Sequence, residues 1–459
     1  MNLVLISLDT CRANRLGCYG YPKPTSPNLD ALAAQGTRFN SCFSASNCTQ
    51  PGYATIFSGV HPLGHRVVIQ GGKTPPKEGI PFLAEILKAN GYANASVSSL
   101  VDMPPFDDRG TNWARRGYDL WRFKGVEKYE QLQRGMKATA ERVLQQALDY
   151  LDQVRDRKFF LFVHFWDPHT IYAPPEKYDA FYGGADPRDP GNTTLRAVMK
   201  TAWGRFFMSN WKDVDARYDG VTDMQRIVSL YDGEVRHADD HAGVLMARLG
   251  DLGLADDTLV VLTSDHGETL DETNNCWRGQ EVHFGHVGLT EPNVHVPLIL
   301  RKPGLVPQGK TVDALVHHVD ITPTILDLLG IEPPARIDGQ TLLPLMRGEK
   351  ESVRDAVLLV EHGLQVRKAV RTKEWKLIWR EEMVTGDPQA WLYNLKDDPE
   401  EELTLADFAP GKVRELRALM LDRTRELLGK YGHDDPLYAQ SLYDGLASQL
   451  IPLSRKLVR

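Results

Sequence analysis

The chain has 459 residues, 42% of them apolar and 25% charged, the profile of a soluble globular protein long enough for two or three domains. Its formal net charge of −7 leaves no basic stripe to neutralise phosphates, which argues against nucleic acid and anionic membranes as partners. The five cysteines, Cys11, Cys18, Cys42, Cys48 and Cys276, are odd in number, so reduced thiols in a cytoplasmic protein are expected and a disulfide framework is not.

In chain order, the first apolar run lies at residues 3–8. It lacks a basic leader and a cleavage site, so it reads as a core strand and not a signal peptide. Further buried strands are predicted over 95–100, 159–165, 258–263 and 296–300, each rich in β-branched or aromatic residues. The most apolar run outside the first strand, from Phe159 to Trp166, is too short to cross a bilayer. Helical spacing occupies 28–35, 81–90, 131–155 and 224–252, with Gly91 and Gly253 placed to cap two of these helices. His237 and His241, four apart on the last and strongly charged helix, are expected to be solvated. The Asn-x-Ser/Thr triplets at Asn47, Asn94 and Asn192 are read as chance matches.

Alternation of strands and helices predicts an α/β domain with a mostly parallel sheet over 1–348, with catalytic groups at the carboxyl ends of strands. An aromatic-rich segment over about 178–225, containing Trp203, Phe206, Phe207 and Trp211, breaks the pattern. It is expected to be either a substrate wall or a peripheral packing or subunit-contact loop. Residues 349–431 read as a smaller antiparallel α+β subdomain. Residues 432–459 read as a tail that wraps the body or contacts another subunit, compatible with a homo-oligomer.

Asp9 ends the first strand, where a buried carboxylate is costly unless paired or bound to a cation; a helix N-cap is the alternative. Asp265-His266 follows another strand and offers a carboxylate and an imidazole to one ion. Thr49 is the candidate nucleophile, a hydroxyl that needs activation by a base or a metal; an N-cap role is again the alternative. Pro51-Gly52 suits a tight bend at a helix start, where free N–H groups bind anions.

Taken together, Asp9-Thr10-Cys11-Arg12-Ala13-Asn14-Arg15, Thr49-Gln50-Pro51-Gly52-Tyr53, Pro168-His169-Thr170-Ile171-Tyr172, Asp265-His266-Gly267 and Gly285-His286 resemble the sulfatase family of the alkaline-phosphatase superfamily. That family carries Cys-x-Pro-x-Arg at the nucleophile and oxidises the Cys to formylglycine. Aligned on Pro51, Thr49 stands where the cysteine should be and Tyr53 where the arginine should be; Cys48 is one residue too early. The run Thr49, Pro51, Thr55-Ile56, Ser58-Gly59, Pro62 and His65 is also similar to nucleotide pyrophosphatase/phosphodiesterases, which use a threonine nucleophile. The family resemblance covers roughly residues 1–430, with the 178–225 insertion and the tail outside it, and includes an overall likeness to phosphonate monoester hydrolases.

The resemblance implies metal ligands Asp9, Thr49, Asp265 and His266. It implies anion-binding and proton-moving roles for His169 and His286, with Arg12 and Tyr53 as further substrate contacts. A histidine ligand beside a lone Asp9 tilts the single divalent ion toward Mn²⁺ or Zn²⁺ over Ca²⁺. Asp167, His169, His283 and His286 form the pool for a second ion. The expected activity is metal-dependent hydrolysis of a small anionic ester, a phosphodiester or phosphonate monoester, through a phospho-threonine. The alternatives are a sulfuric ester hydrolase without formylglycine, a phosphotransferase or mutase, and a catalytically silent binding homologue.

Overall fold

The computed structural model describes residues 1–71, 74–98, 113–122, 140–184, 186–272, 276–277, 280–281, 283–362, 366–380 and 389–439. Its centre is a sheet built from β1 (Asn2–Leu8), β2 (Thr37–Phe43), β3 (Ala93–Ser98), β4 (Leu120–Arg122), β5 (Phe159–Phe165) and β6 (Thr258–Thr263). After the short hairpin of β7 (Cys276–Trp277) and β8 (Gln280–Glu281), β9 (His295–Val296), β10 (Leu298–Arg301) and β11 (Lys310–His317) complete it. The order is β11-β2-β10-β6-β1-β5-β3-β4, with β9 beside β2. β10 runs antiparallel to both its neighbours, whereas β1, β3, β4, β5 and β6 pair in parallel. The expected mostly parallel sheet is therefore the one observed.

All seven residues of β1 are buried, as a central parallel strand covered on both faces requires. Its side chains alternate between two cores. Val4, Ile6 and Leu8 pack with residues of α1 (Pro27–Ala34) and of the helices Ala140–Val154 and Met224–Asp251. Leu3 and Leu5 pack with residues of α2 (Thr49–Ser58) and of the helices Leu83–Ala89 and Ile321–Leu329. Gly91 and Gly253 follow two helices with φ of 81° and 70°, the left-handed turn only glycine enters without strain. The ends of the predictions at 99–100 and 131–139 lie outside the described residues, as does the tail over 440–459.

β2 and β11 were not expected. Both interleave polar residues with apolar ones because one side of each is only partly covered. Of the two alternatives for the 178–225 segment, Trp211 follows the packing one. That ring is 1% exposed and packs on Tyr172, Tyr218 and Phe284, so it is a core residue and not an exposed wall. His237 and His241 are likewise buried, not solvated, because they pack against Glu141 of the helix Ala140–Val154 and, for His237, Asp167 and the Tyr178 ring.

Four antiparallel strands follow, β12 (Ala356–His362), β13 (Val366–Thr372), β14 (Trp375–Arg380) and β15 (Gln389–Asn394). Leu358, Val360, Val370 and Leu377 on one face pack with Leu416 and Met420 of the helix Pro410–Tyr431. Val357, Leu359, Ala369 and Ile378 on the other pack with Phe43, Leu289, Val294 and Leu315 of the large sheet's layer. A buried ion cluster crosses the same boundary. Lys376 Nζ, fully buried, lies 3.0 Å from carboxylate oxygens of both Glu291 and Glu401, and Glu401 also accepts the Glu291 N–H at 2.6 Å. Removing the cation takes the shared ammonium from both carboxylates and leaves Glu291 with Arg371 Nη2, 3.5 Å away. Lys376→Met should therefore lose about 3 kcal/mol of stability in urea unfolding, with part of the loss recovered by adding Glu401→Gln.

Candidate functional site

The register of the sheet creates the site. β1 and β6 pair in parallel with Ser7 opposite Thr263, so the residues just beyond them, Asp9 and Asp265, emerge side by side. Both are fully buried, as is His266. One ligand atom from each of Asp9, Asp265 and His266 falls within 4.8 Å of the others. Thr10 takes a left-handed φ of 56°, and its N–H donates to Asp265 Oδ1 at 3.2 Å. Asp9 Oδ2 lies 3.0 Å from His164 Nε2 at the end of β5, while His164 Nδ1 lies 3.1 Å from Ser98 Oγ.

The remaining oxygens, Asp9 Oδ1 and Asp265 Oδ2, have no hydrogen-bond partner among the described residues. His266 Nδ1 lies 2.9 Å from the Gly267 carbonyl, an acceptor only, so Nδ1 carries the proton and Nε2 presents a lone pair. Burial drives Asp9 well above the usual carboxylate range, with Asp265 and Glu268 adding repulsion. Burial likewise raises Asp265 and lowers His266. Two open carboxylate oxygens and a bare imidazole nitrogen converging in a dry site are the donor set of a borderline divalent cation, so the residues fit such an ion.

Thr49 completes the group. It is the first residue of α2, 5% exposed, with Oγ1 3.2 Å from His266 Nε2. Cys48 precedes the helix, its Sγ 3.7 Å from Asn47 Oδ1; burial, Glu361 and Asp265 push the thiol up to about 12. The later part of the Thr49–His65 motif is structural. His65 Nδ1 accepts the Val67 N–H, so its Nε2–H points at Thr55 Oγ1, 3.1 Å away, and that hydroxyl donates to Pro51 O. Gly59 ends the helix at φ 65°. These bonds hold the bend that presents Thr49.

His286 approaches from the opposite wall. Its ring centroid is 4.5 Å from that of His266 and 5.4 Å from that of His169, so the structure brings all three imidazoles together. His286 Nδ1 lies 3.5 Å from Glu268 Oε1. Burial alone would lower this histidine, but Glu268, with Asp265 and Glu361, raises it. His169 rests on Trp166, centroids 4.5 Å apart, with Nδ1 2.8 Å from Thr170 O.

Two predicted substrate contacts are placed otherwise. Tyr53 is 1% exposed. Its hydroxyl donates to Ser7 Oγ at 2.8 Å, and its ring packs on Phe57, Phe162 and His164 beneath the carboxylates, so it braces the floor. Arg12 is 2% exposed and already paired with Glu272 Oε1 at 2.5 Å, with Nε donating to Asn14. Its guanidinium is committed to the protein. Residues that the motifs did not single out, His164 and Glu268, prove to contact the site. The available signals were a histidine within the apolar run Phe-Val-His-Phe and an acid following Asp-His-Gly.

The C-terminal sheet reaches the same place. Asn47 Nδ2 donates to His286 O at 2.7 Å and to Glu361 Oε1 at 3.1 Å, and Gly288 N donates to the same oxygen at 2.9 Å. Arg367 Nη1 holds the other oxygen at 2.9 Å. Glu361 thus ties the Thr49 approach to the His286 loop.

The sulfatase family model matches residues 1–331, and the model for the C-terminal region of N-sulphoglucosamine sulphohydrolase matches residues 279–427. The uncharacterized sulfatase YidJ of Escherichia coli is 26% identical over 94% of this chain and 89% of its own length. The multifunctional alkaline phosphatase superfamily protein PehA of Trinickia caryophylli is 25% identical over 76% of this chain and 78% of its own. The phosphonate monoester hydrolase of Agrobacterium radiobacter shares the fold, with a TM-score of 0.69, 22% identity and coverage of 94% of this chain and 95% of that one.

A Cβ added at Gly52 would sit 2.8 Å from Asp265 O, so α2 can approach the metal-ligand turn only because residue 52 is glycine. Gly52→Ala should push Thr49 away from His266. The expected result is a fall in kcat/KM of roughly 10²-fold, alongside a stability loss of about 1–3 kcal/mol in the same preparation.

Proposed function

Because this chain belongs to the sulfatase family but presents a threonine hydroxyl at the nucleophile position, we propose that it hydrolyses phosphodiesters or phosphonate monoesters through Thr49. It is an ester hydrolase by family. The observation that carries the finer reading is the pairing of Thr49 Oγ1 with His266 Nε2 at 3.2 Å, beside the open oxygens of Asp9 and Asp265, while Cys48 faces Asn47. A threonine has no geminal hydroxyl, so a sulfo-threonine could not collapse to an aldehyde as the formylglycine hydrate does.

Asp9, Thr49, Asp265 and His266 would hold one divalent ion, Mn²⁺ or Zn²⁺, which when bound lowers the hydroxyl pKa and offsets charge on the non-bridging oxygens. Without the ion, His266 Nε2 accepts the hydrogen bond of the Thr49 hydroxyl and orients its oxygen; with the ion bound, that lone pair would turn to the ion. The positive end of α2 favours an anion above Thr49. Thr49 Oγ1, its proton released to solvent, attacks phosphorus as the bond from phosphorus to the leaving ester oxygen breaks. His286, held protonated by Glu268, supplies the proton to that oxygen and then, as the free base, takes one from the water that cleaves the phospho-threonine. His169, against His286, binds the anion from the side.

Sulfuric ester hydrolysis is the second reading, favoured by the family model over residues 1–331. Parallel turnover of bis-p-nitrophenyl phosphate, p-nitrophenyl phenylphosphonate and p-nitrophenyl sulfate by Mn²⁺- or Zn²⁺-loaded enzyme separates the two. Phosphodiester or phosphonate turnover should dominate, drop ~10³-fold or more in Thr49→Ala, and persist in Cys48→Ala. Dominant sulfate turnover, or an active Thr49→Ala, would overturn the proposal. The raised His286 gives a pH signature. With His286 as the acid, kcat/KM should fall as pH rises through its pKa, which Glu268 raises from the ordinary imidazole value, and His286→Asn should remove that alkaline limb.

A further inference from the structure

Behind the His169 loop lies a second group of buried side chains that the mechanism does not use. Asp167, Glu234 and His237 are 3%, 1% and 1% exposed, and one ligand atom from each lies within 4.8 Å of the others. Asp167 follows β5. Glu234 and His237 are three apart, on one face of the helix Met224–Asp251. His237 Nε2 lies 3.0 Å from Glu141 Oε1, which fixes a proton on Nε2. Nδ1 faces Asp167 Oδ1 at 3.7 Å, beyond hydrogen-bond range, and has no hydrogen-bond partner among the described residues.

A carboxylate on one imidazole nitrogen and an open, buried second nitrogen turned toward two carboxylates is the arrangement that surrounds a histidine-bound metal. A His nitrogen with two carboxylate oxygens suits Zn²⁺, Mn²⁺ or Co²⁺ better than Ca²⁺. We propose that Asp167, Glu234 and His237 form a structural divalent-cation site, separate from the Asp9–Asp265–His266 group.

The cation would fasten both ends of the loop that carries His169. Asp167 lies two residues before His169, and Glu234 Oε1 accepts the Ala173 N–H at 2.6 Å beyond it. In the metal-free chain burial opposes a charged His237, yet Asp167, Glu234 and Glu141 hold its pKa up to about 9, a proton standing where the cation would bind. The other groups facing the cluster are His241, with Nε2 3.8 Å from Glu141 Oε1, and the Tyr178 ring, whose centroid is 4.9 Å from that of His237.

The rival is a permanently protonated His237 bridging Glu141 and Asp167 with no metal. Zinc content of the full chain, loaded with excess Zn²⁺ and desalted, decides between them. Wild type should hold two ions, Asp265→Asn one, and His237→Gln one. The cobalt form of Asp265→Asn should show a visible ligand-field absorption that His237→Gln/Asp265→Asn lacks. One ion in wild type and none in Asp265→Asn would overturn this site while leaving the catalytic ion intact. One ion in each would support it and remove the catalytic ion instead. If His237→Gln does not fold, the wild-type and Asp265→Asn contents still decide.

Discussion

Asp9, Asp265 and Glu268 share one buried cluster at the carboxyl edge of the central sheet, and burial raises all three carboxyls. Bringing like charges out of water together costs several kcal/mol per ion unless something compensates. Much of the surrounding architecture reads as that compensation. The Thr10 N–H and its left-handed backbone serve Asp265, His164 serves Asp9, and Arg12 lies against the backbone of Glu268. The parallel register of β1 with β6 and β5 makes the clustering unavoidable, because three strands end at the same level. A cation is the remaining compensation that this donor set accommodates.

How much of this was legible depended on how strongly a residue's surroundings constrain it. Residues 159–165 and 258–263 are fully buried on both faces, so their apolar runs announced the strands at their observed bounds. β2 and β11 mix polar and apolar side chains on a half-covered surface, and no local period separates such segments from loops. Asp9, Thr49, Asp265 and His266 were grouped by the family resemblance, and each follows a strand or opens a helix. Their mutual distances were not legible, since those depend on sheet order, with β6 and β5 on either side of β1.

The misread residues share one cause. Tyr53 and Arg12 were judged by position within a motif, but neighbours distant in sequence decide their roles. Ser7 and Phe162 claim Tyr53, and Glu272 claims Arg12. His237 was judged by the charge of its own helix, although partners on other elements, Glu141 and Asp167, define its surroundings. A one-dimensional pattern reports the face of a helix; it does not report what that face meets.

Glu361 has a consequence for the order in which the molecule is made. It bonds Asn47, two residues before Thr49, across 314 positions of chain. A ribosome releasing the protein from its N-terminus exposes the nucleophile segment long before the strand that anchors it exists. Closing so long a loop is slow and entropically late. The strands of the large sheet can therefore pair while the turn that carries Thr49 still lacks this anchor, and that turn is completed only once β12 has been made.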